Sequence, residues 1–202
     1  MKKKIGILNL NISNLASICN MIERQGYKAI PFTINENLNR FYKIIIPGVG
    51  SYPSAMNIIN NSNLIKKLKI FLKQKKILGI CLGMQIFYKK SYELKPYKGI
   101  GLIEEEIIKL KFLKNLPNIG YCKINIIKKD KLFKNIKNNS YFYFMHSYGV
   151  FDKKNDLNTS IVKYKDKKFV SSVNYNNFYG VQFHPEKSGK NGFRLIKNFL
   201  NE

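Results

Sequence analysis

Tryptophan is absent from this 202-residue chain, arginine and cysteine each occur three times, and histidine twice. Each shortage narrows the possibilities. Three cysteines (Cys19, Cys81 and Cys122) cannot make a disulfide framework for a chain of this length, so folding rests on a hydrophobic core. Two histidines offer no convincing ligand cluster, so neither a metal nor a cofactor is expected. No apolar run approaches the roughly 18 residues needed to span a membrane. The opening Met1-Lys-Lys-Lys, followed by Ile5-Gly-Ile-Leu, has the look of a secretory leader. Asn9 and Asn11 interrupt it, however, and no small-residue cleavage site follows. A cytoplasmic protein without membrane attachment is expected.

Acidic residues are scarce as well: 12 stand against 36 basic ones, for a net charge of +24. Such an excess invites a nucleic-acid reading. The basic residues are almost all lysine, and the chain also holds 28 isoleucines and 25 asparagines. These three residue types share A/T-rich codons, so one coding bias inflates them together. Arginine, which supplies bidentate contacts to phosphates and bases, is confined to Arg24, Arg40 and Arg194. The lysines are scattered rather than gathered on one helix or arm, so a solvated lysine-rich surface is expected, with no specific nucleic-acid partner.

What is present points to a globular α/β protein of one domain, residues 1–202. Apolar residues make up 45% of the chain and aromatics 13%. In the first half, short apolar runs alternate with helical spacing. Strands are expected at 4–10, 28–32, 43–46 and 77–80. Helices are expected at 14–25 (capped by Ser13), about 52–73 and 82–90. This alternation predicts a doubly wound, mostly parallel sheet flanked by helices. The second half adds β patterns at 107–110, 123–127, 141–145, 160–164, 169–173 and 179–183, before a last helix at 192–200. The glutamates at 104–106 read as a solvated turn, since consecutive carboxylates do not converge on one ion.

Three segments carry chemistry. Ile77-Leu-Gly-Ile-Cys-Leu-Gly-Met-Gln85 runs an apolar strand through Gly-x-Cys-x-Gly into a helix, the cysteine counterpart of a nucleophile elbow. Gly79 and Gly83 suit so sharp a turn, and a helix N-terminus under Cys81 favours thiolate over thiol. Tyr179-Gly-Val-Gln-Phe-His-Pro-Glu places His184 at a strand end and Glu186 two residues on, around a proline that forces the chain out of the ladder. Nucleophile, base and orienting carboxylate follow triad logic: Cys81, His184 and Glu186. Ile44-Ile-Ile-Pro-Gly-Val-Gly-Ser51 ends a strand in a loop whose peptide planes at Gly48, Val49 and Gly50 can turn an N–H toward an oxyanion, beside the amide of Leu82. The phosphate-binding GxxxxGK[ST] pattern is absent.

With GICLGMQ around Cys81 and VQFHPE around His184, the chain resembles the class I, triad-type glutamine amidotransferases, a flavodoxin-like fold. PGVGSY at 47–52, FYFMHSY at 142–148, Lys-Ser-Gly at 187–189 and Asn9-Leu-Asn-Ile-Ser-Asn-Leu resemble more narrowly the glutaminase subunits of imidazole glycerol phosphate synthases. The resemblance implies hydrolysis of glutamine to glutamate and ammonia through a cysteine thioester. It also implies a heterodimer with a (β/α)8-barrel cyclase, which uses the ammonia in histidine biosynthesis to form imidazole glycerol phosphate and an aminoimidazole carboxamide ribotide. By the same resemblance, Gln85 and the Ser147-Tyr148 backbone contact glutamine, while Asn11, Asn14, Tyr121, Tyr143 and Lys187 face the cyclase. One stretch departs from the pattern. Where such subunits carry Pro-His-x-Gly-Trp-Asn, this chain has Pro117-Asn-Ile-Gly-Tyr-Cys122. Tyr121 keeps an aromatic contact, but Cys122 cannot make an amide's hydrogen bonds. The alternatives are a glutaminase serving another synthase (anthranilate, GMP or CTP type), a basic nucleic-acid-binding α/β protein, or an inactive scaffold.

Overall fold

The computed structural model describes residues 2–10, 15–48, 50–152 and 156–202. The expected Ser13 cap and the site candidates Asn11, Asn14 and Val49 lie outside the described residues. The first half alternates as its apolar spacing requires: β1 (Lys4–Leu8), α1 (Ala16–Glu23), β2 (Lys28–Phe32), β3 (Lys43–Ile46), α2 (Tyr52–Asn60), α3 (Leu64–Phe71), β4 (Ile77–Ile80) and α4 (Leu82–Gln85). Strands then dominate: β5 (Tyr88–Ser91), β6 (Tyr97–Lys98), β7 (Ile103–Lys109), β8 (Asn118–Lys123), β9 (Asn125–Ile126), β10 (Tyr141–His146) and β11 (Tyr148–Gly149). The chain finishes through β12 (Asn158–Tyr164), β13 (Lys167–Tyr175), β14 (Phe178–Val181) and α5 (Gly189–Asn201).

An eight-stranded sheet of order β2-β1-β3-β4-β14-β13-β12-β9 forms the centre. Its first five strands are parallel, and β13, β12 and β9 extend it in antiparallel fashion. Side chains alternate between two cores, because successive residues of a strand face opposite ways. Ile44, Ile46 and Ile77 pack with Met56 and Ile59 of α2 and Leu64, Leu68 and Phe71 of α3. Ile45, Leu78 and Ile80 pack on the other face with Ile18 and Ile22 of α1 and Leu195, Ile196 and Phe199 of α5. This is the doubly wound arrangement predicted from the apolar spacing. A ladder of β11-β7-β5-β6 and a β8–β10 pair make up the extra β structure.

Three expectations are corrected. The single helix at 52–73 is two, because Ser62 spends its hydroxyl on the Ile59 carbonyl (2.7 Å) and the Leu64 amide (3.2 Å), competing with the helical ladder. The helix expected at 82–90 lasts only to Gln85. Beyond it the Ile86, Phe87 and Tyr88 carbonyls accept from Ile100, Leu102 and Gly101, drawing this aromatic stretch into β structure. Glu104, Glu105 and Glu106 belong to β7 rather than a turn, so strand alternation, not a bend, separates their carboxylates.

The glycines of the 77–83 segment have a packing reason. A Cβ on Gly83 would lie 1.8 Å from the Ile46 carbonyl oxygen, and one on Gly79 would lie 2.4 Å from the Gly83 oxygen. Both contacts are with backbone, which cannot swing aside. Gly83→Ala is expected to cost about 3 kcal/mol or more, lowering the melting temperature by roughly 6–12 °C for a chain of this length. A melting curve that matches the parent would refute the interlock.

Candidate active site

The site begins with the sheet. β3, β4 and β14 are neighbours, registered Ile46 to Gly79 and Ile80 to Val181, so the three chemical segments leave the sheet side by side at the carboxyl ends of their strands. Cys81 follows β4 at once. Its amide donates to the Val181 carbonyl (2.7 Å), and its own carbonyl accepts from Met84 and Gln85 (both 3.0 Å). Held from both sides, Cys81 adopts φ 52° and ψ −111°, a conformation that L-residues avoid unless the surroundings impose it. The Ile46 carbonyl closes against Gly83 beneath it.

His184 leaves β14 two residues beyond Gln182 and is clamped by backbone. Its N–H donates to the Tyr143 carbonyl of β10 (2.8 Å), and its carbonyl accepts from Ser188 Oγ (2.6 Å). Pro185 opens a 3-10 turn that swings Glu186 back. The imidazole Nδ1 lies 2.8 Å from Glu186 Oε1. A carboxylate accepts, so Nδ1 carries the proton. Nε2 is buried and makes no well-aligned hydrogen bond among the described residues. Such nucleophile–base contacts are often loose until substrate seats. Burial by itself pulls the His184 pKa down. Hydrogen bonding and charge attraction involving Cys81 and Glu186 outweigh it and push the value up to about 10. His184 is therefore an imidazolium at neutral pH, with a proton to give.

Cys81 opens onto a cavity of about 280 Å³ walled by Gly50, Leu82, Gln85, Glu93, Ser147 and Tyr148. Of the residues expected at the site, Cys81, Gly50, Leu82, Gln85, Ser147 and Tyr148 line it, whereas His184, Glu186 and Gly48 are not among its lining. Gly48 is buried beneath, where a Cβ would meet Leu82 Cβ at 2.6 Å. The hydrogen bonds sharpen what each wall residue offers. The Tyr148 carbonyl already accepts from Gln85 Nε2 and His146 Nδ1, both at 2.9 Å, so its lone pairs are taken. Among the described residues the Ser147 carbonyl accepts one bond, from the Leu110 amide (3.0 Å), and keeps one lone pair.

Sequence reasoning missed three residues here. Gln182 is fully buried and reaches Cys81 Sγ; its signals were a polar side chain within an apolar run and its place in the VQFHPE segment. His146 is buried and uncharged at neutral pH: burial lowers its pKa to about 4, the Tyr148 carbonyl opposes this, and the charge of His184 adds to it. Glu93 brings a carboxylate to the cavity wall, anchored on the Tyr52 amide (3.3 Å). Burial raises its pKa, partly offset by that amide. No local pattern marked it, since 41 residues separate it from Tyr52.

Of the residues expected at a partner surface, three come together. Tyr121 Oη donates to the Lys187 carbonyl (2.9 Å), its ring meets that of Tyr143 edge-on at 5.5 Å, and Lys187 Nζ stands 5.4 Å over Tyr143. Tyr121 and Ile119, both on β8, are exposed apolar residues. Among the described residues the polar contacts of Cys122 are long, 3.8 Å to Asn118, while Asn118 Nδ2 lies 3.2 Å from His146 Nε2.

The sequence pattern of the family "Glutamine amidotransferase class-I" matches residues 7–202. A subunit of imidazole glycerol phosphate synthase, HisH, from Methanocaldococcus jannaschii is 43% identical over 197 residues, covering 97% of this chain and 98% of its own. The chain belongs to the class-I glutamine amidotransferases, among the HisH subunits. The HisH subunit from Buchnera aphidicola is 41% identical, again over 97% and 98% of the two chains. Among solved structures, PurLQS from Thermotoga maritima superposes with a TM-score of 0.77 at 19% identity, covering 100% and 99% of the chains. A likeness at that identity speaks for the fold. Among the described residues no group of three or more His, Cys, Asp and Glu could hold a metal ion, and no helix is long and apolar enough to cross a membrane.

Two expectations follow for this amidotransferase. The His184 proton is present at neutral pH and lost as pH rises through about 10. Glu186→Gln removes an attraction that holds it, so the alkaline limb of the turnover profile should move down by about one pH unit or more. A limb that stays put would detach His184 from that limb. Glu93→Gln should raise KM for glutamine about tenfold at nearly constant kcat, as loss of a carboxylate facing the substrate ammonium predicts. Unchanged KM would place the ammonium elsewhere.

Proposed function

We propose that Cys81, His184 and Glu186 hydrolyse glutamine, and that the ammonia passes to a (β/α)8-barrel cyclase subunit. The chain is a glutamine-hydrolysing subunit of an imidazole glycerol phosphate synthase, a complex of histidine biosynthesis. The observation that carries the catalytic reading is the Nδ1–Glu186 contact of 2.8 Å, on a histidine that follows the strand beside the one ending in a cysteine in a strained elbow.

The Cys81 thiolate attacks the side-chain amide carbon of glutamine, and the carbonyl oxygen becomes an oxyanion. Leu82 N–H, first of α4 and without an intrahelical partner, and the 48–50 loop stabilise that charge. His184 gives its proton to the amide nitrogen, the C–N bond breaks, and ammonia departs from a γ-glutamyl thioester. His184, now neutral, takes a proton from water. The resulting attack breaks the C–S bond, releasing glutamate and restoring thiolate and imidazolium. Glu93 faces the substrate ammonium, and Gln85, with both amide hydrogens spent, offers only its oxygen. The Tyr121–Tyr143–Lys187 cluster, whose Lys187 follows Glu186 in the chain, forms the cyclase-facing surface, together with Asn11 and Asn14.

The test is glutamine hydrolysis with and without a cyclase subunit and its ribotide ligand. The pair should raise turnover sharply, because ammonia released without an acceptor is lost to solvent. Cys81→Ala should lower turnover on the order of 10⁴-fold or more. Stimulation absent in the parent would refute delivery to the cyclase, and normal turnover in Cys81→Ala would refute the nucleophile.

A further inference from the structure

A cysteine nucleophile needs its negative charge stabilised, and the helix expected to do so is short. α4 spans four residues, Leu82–Gln85, so its dipole is that of about one turn. Around the sulfur, the Met145 carbonyl lies 3.9 Å away and can only accept, which favours the protonated thiol. Gln182 Nε2, at 3.5 Å, is placed to donate.

Which end of the Gln182 amide faces the sulfur follows from an unambiguous group further along. The Tyr148 backbone oxygen can only accept, so the Gln85 atom 2.9 Å from it is Nε2. That NH₂ has a second hydrogen, directed at the Gln182 side chain 2.9 Å away. The Gln182 atom receiving it must be Oε1, which leaves Gln182 Nε2 toward Cys81. Reversing the Gln182 amide would set two NH₂ groups face to face and leave the sulfur facing an oxygen. Gln85 and Gln182 are both buried, so no solvent would relieve either conflict. The backbone of Gln182 is held as well, donating to the Ser171 carbonyl (2.9 Å).

We propose that Gln182 is a catalytic residue of this site, donating an N–H to the Cys81 thiolate, and that Gln85 acts through it as a positioning residue. The inference rests on Cys81 being the nucleophile. The relay runs Tyr148 carbonyl, Gln85, Gln182, Cys81 Sγ, so the cavity wall at 147–148 and the sulfur share one set of hydrogen bonds. Displacement of the 147–148 turn would free the Gln85 amide, and through it the orientation of Gln182.

The readout is the pH dependence of Cys81 alkylation by iodoacetamide on the full chain, followed on the Cys81 peptide by mass spectrometry. Gln182→Glu keeps the size of the side chain and an acceptor for Gln85 but sets a carboxylate oxygen against the sulfur. Its alkylation midpoint should rise by about one to two pH units, and glutamine turnover at neutral pH should fall roughly ten- to a hundredfold. Gln182→Leu should shift the midpoint the same way, and Gln85→Leu by less. Midpoints unmoved in folded variants would overturn the proposal. The parent chain gives a check free of folding defects: replacing the thiolate by its alkylated form should move the Gln182 side-chain amide signal in proton–nitrogen spectra. A stationary signal would overturn the contact. Alkylation that stops turnover while the variant midpoints stay fixed would refute Gln182 alone. Alkylated protein that still hydrolyses glutamine would refute Cys81 and Gln182 together.

Discussion

The parallel register of β3, β4 and β14 is the constraint on which the rest of this structure depends. Ile46 pairs with Gly79 and Ile80 with Val181, so three loops far apart in the chain emerge at one edge. Two backbone approaches then lock the elbow, Cys81 N–H on the Val181 carbonyl and Gly83 against the Ile46 carbonyl. The unusual φ of Cys81 is a product of these contacts. Strain of about 1–3 kcal/mol at one residue is small beside the burial of the strands that impose it.

The electrostatics are arranged around a histidine whose burial and partners oppose each other. Removal from water favours neutral imidazole, yet Glu186 and Cys81 favour the charged form and prevail. His146, also buried but bonded to a neutral carbonyl, goes the other way and stays uncharged. Two imidazoles near one cavity thus take opposite states, decided by whether a negative partner is present. Surface charge plays no part in this, although lysine abounds: the Tyr148 carbonyl, Gln85 and Gln182 that lead to the sulfur are neutral amides.

Much of the fold was legible because its signals are local. The runs at 28–32, 43–46 and 77–80 became strands at the expected bounds; the continuous apolar stretches at 43–46 and 77–80 suit central strands buried on both faces, and 28–32 takes the half-exposed edge. The elements misread are those where tertiary partners overrode spacing. Residues 86–90 have helical periodicity but are drawn off by carbonyl bonds to the 99–103 stretch. Ser62 broke a long amphipathic pattern by bonding to its own backbone.

The site divides along the same line. The sequence by itself marked Cys81, His184 and Glu186 as the candidate nucleophile, base and carboxylate, because each sits in a short motif whose glycines or proline dictate the turn. Only the tertiary structure decided that Glu93 reaches the cavity, that the Tyr148 carbonyl is already occupied and that Gln182 donates to the sulfur. Those facts depend on contacts spanning 41, 63 and 101 residues. No periodicity encodes such separations; they exist once the sheet has set its strands in register.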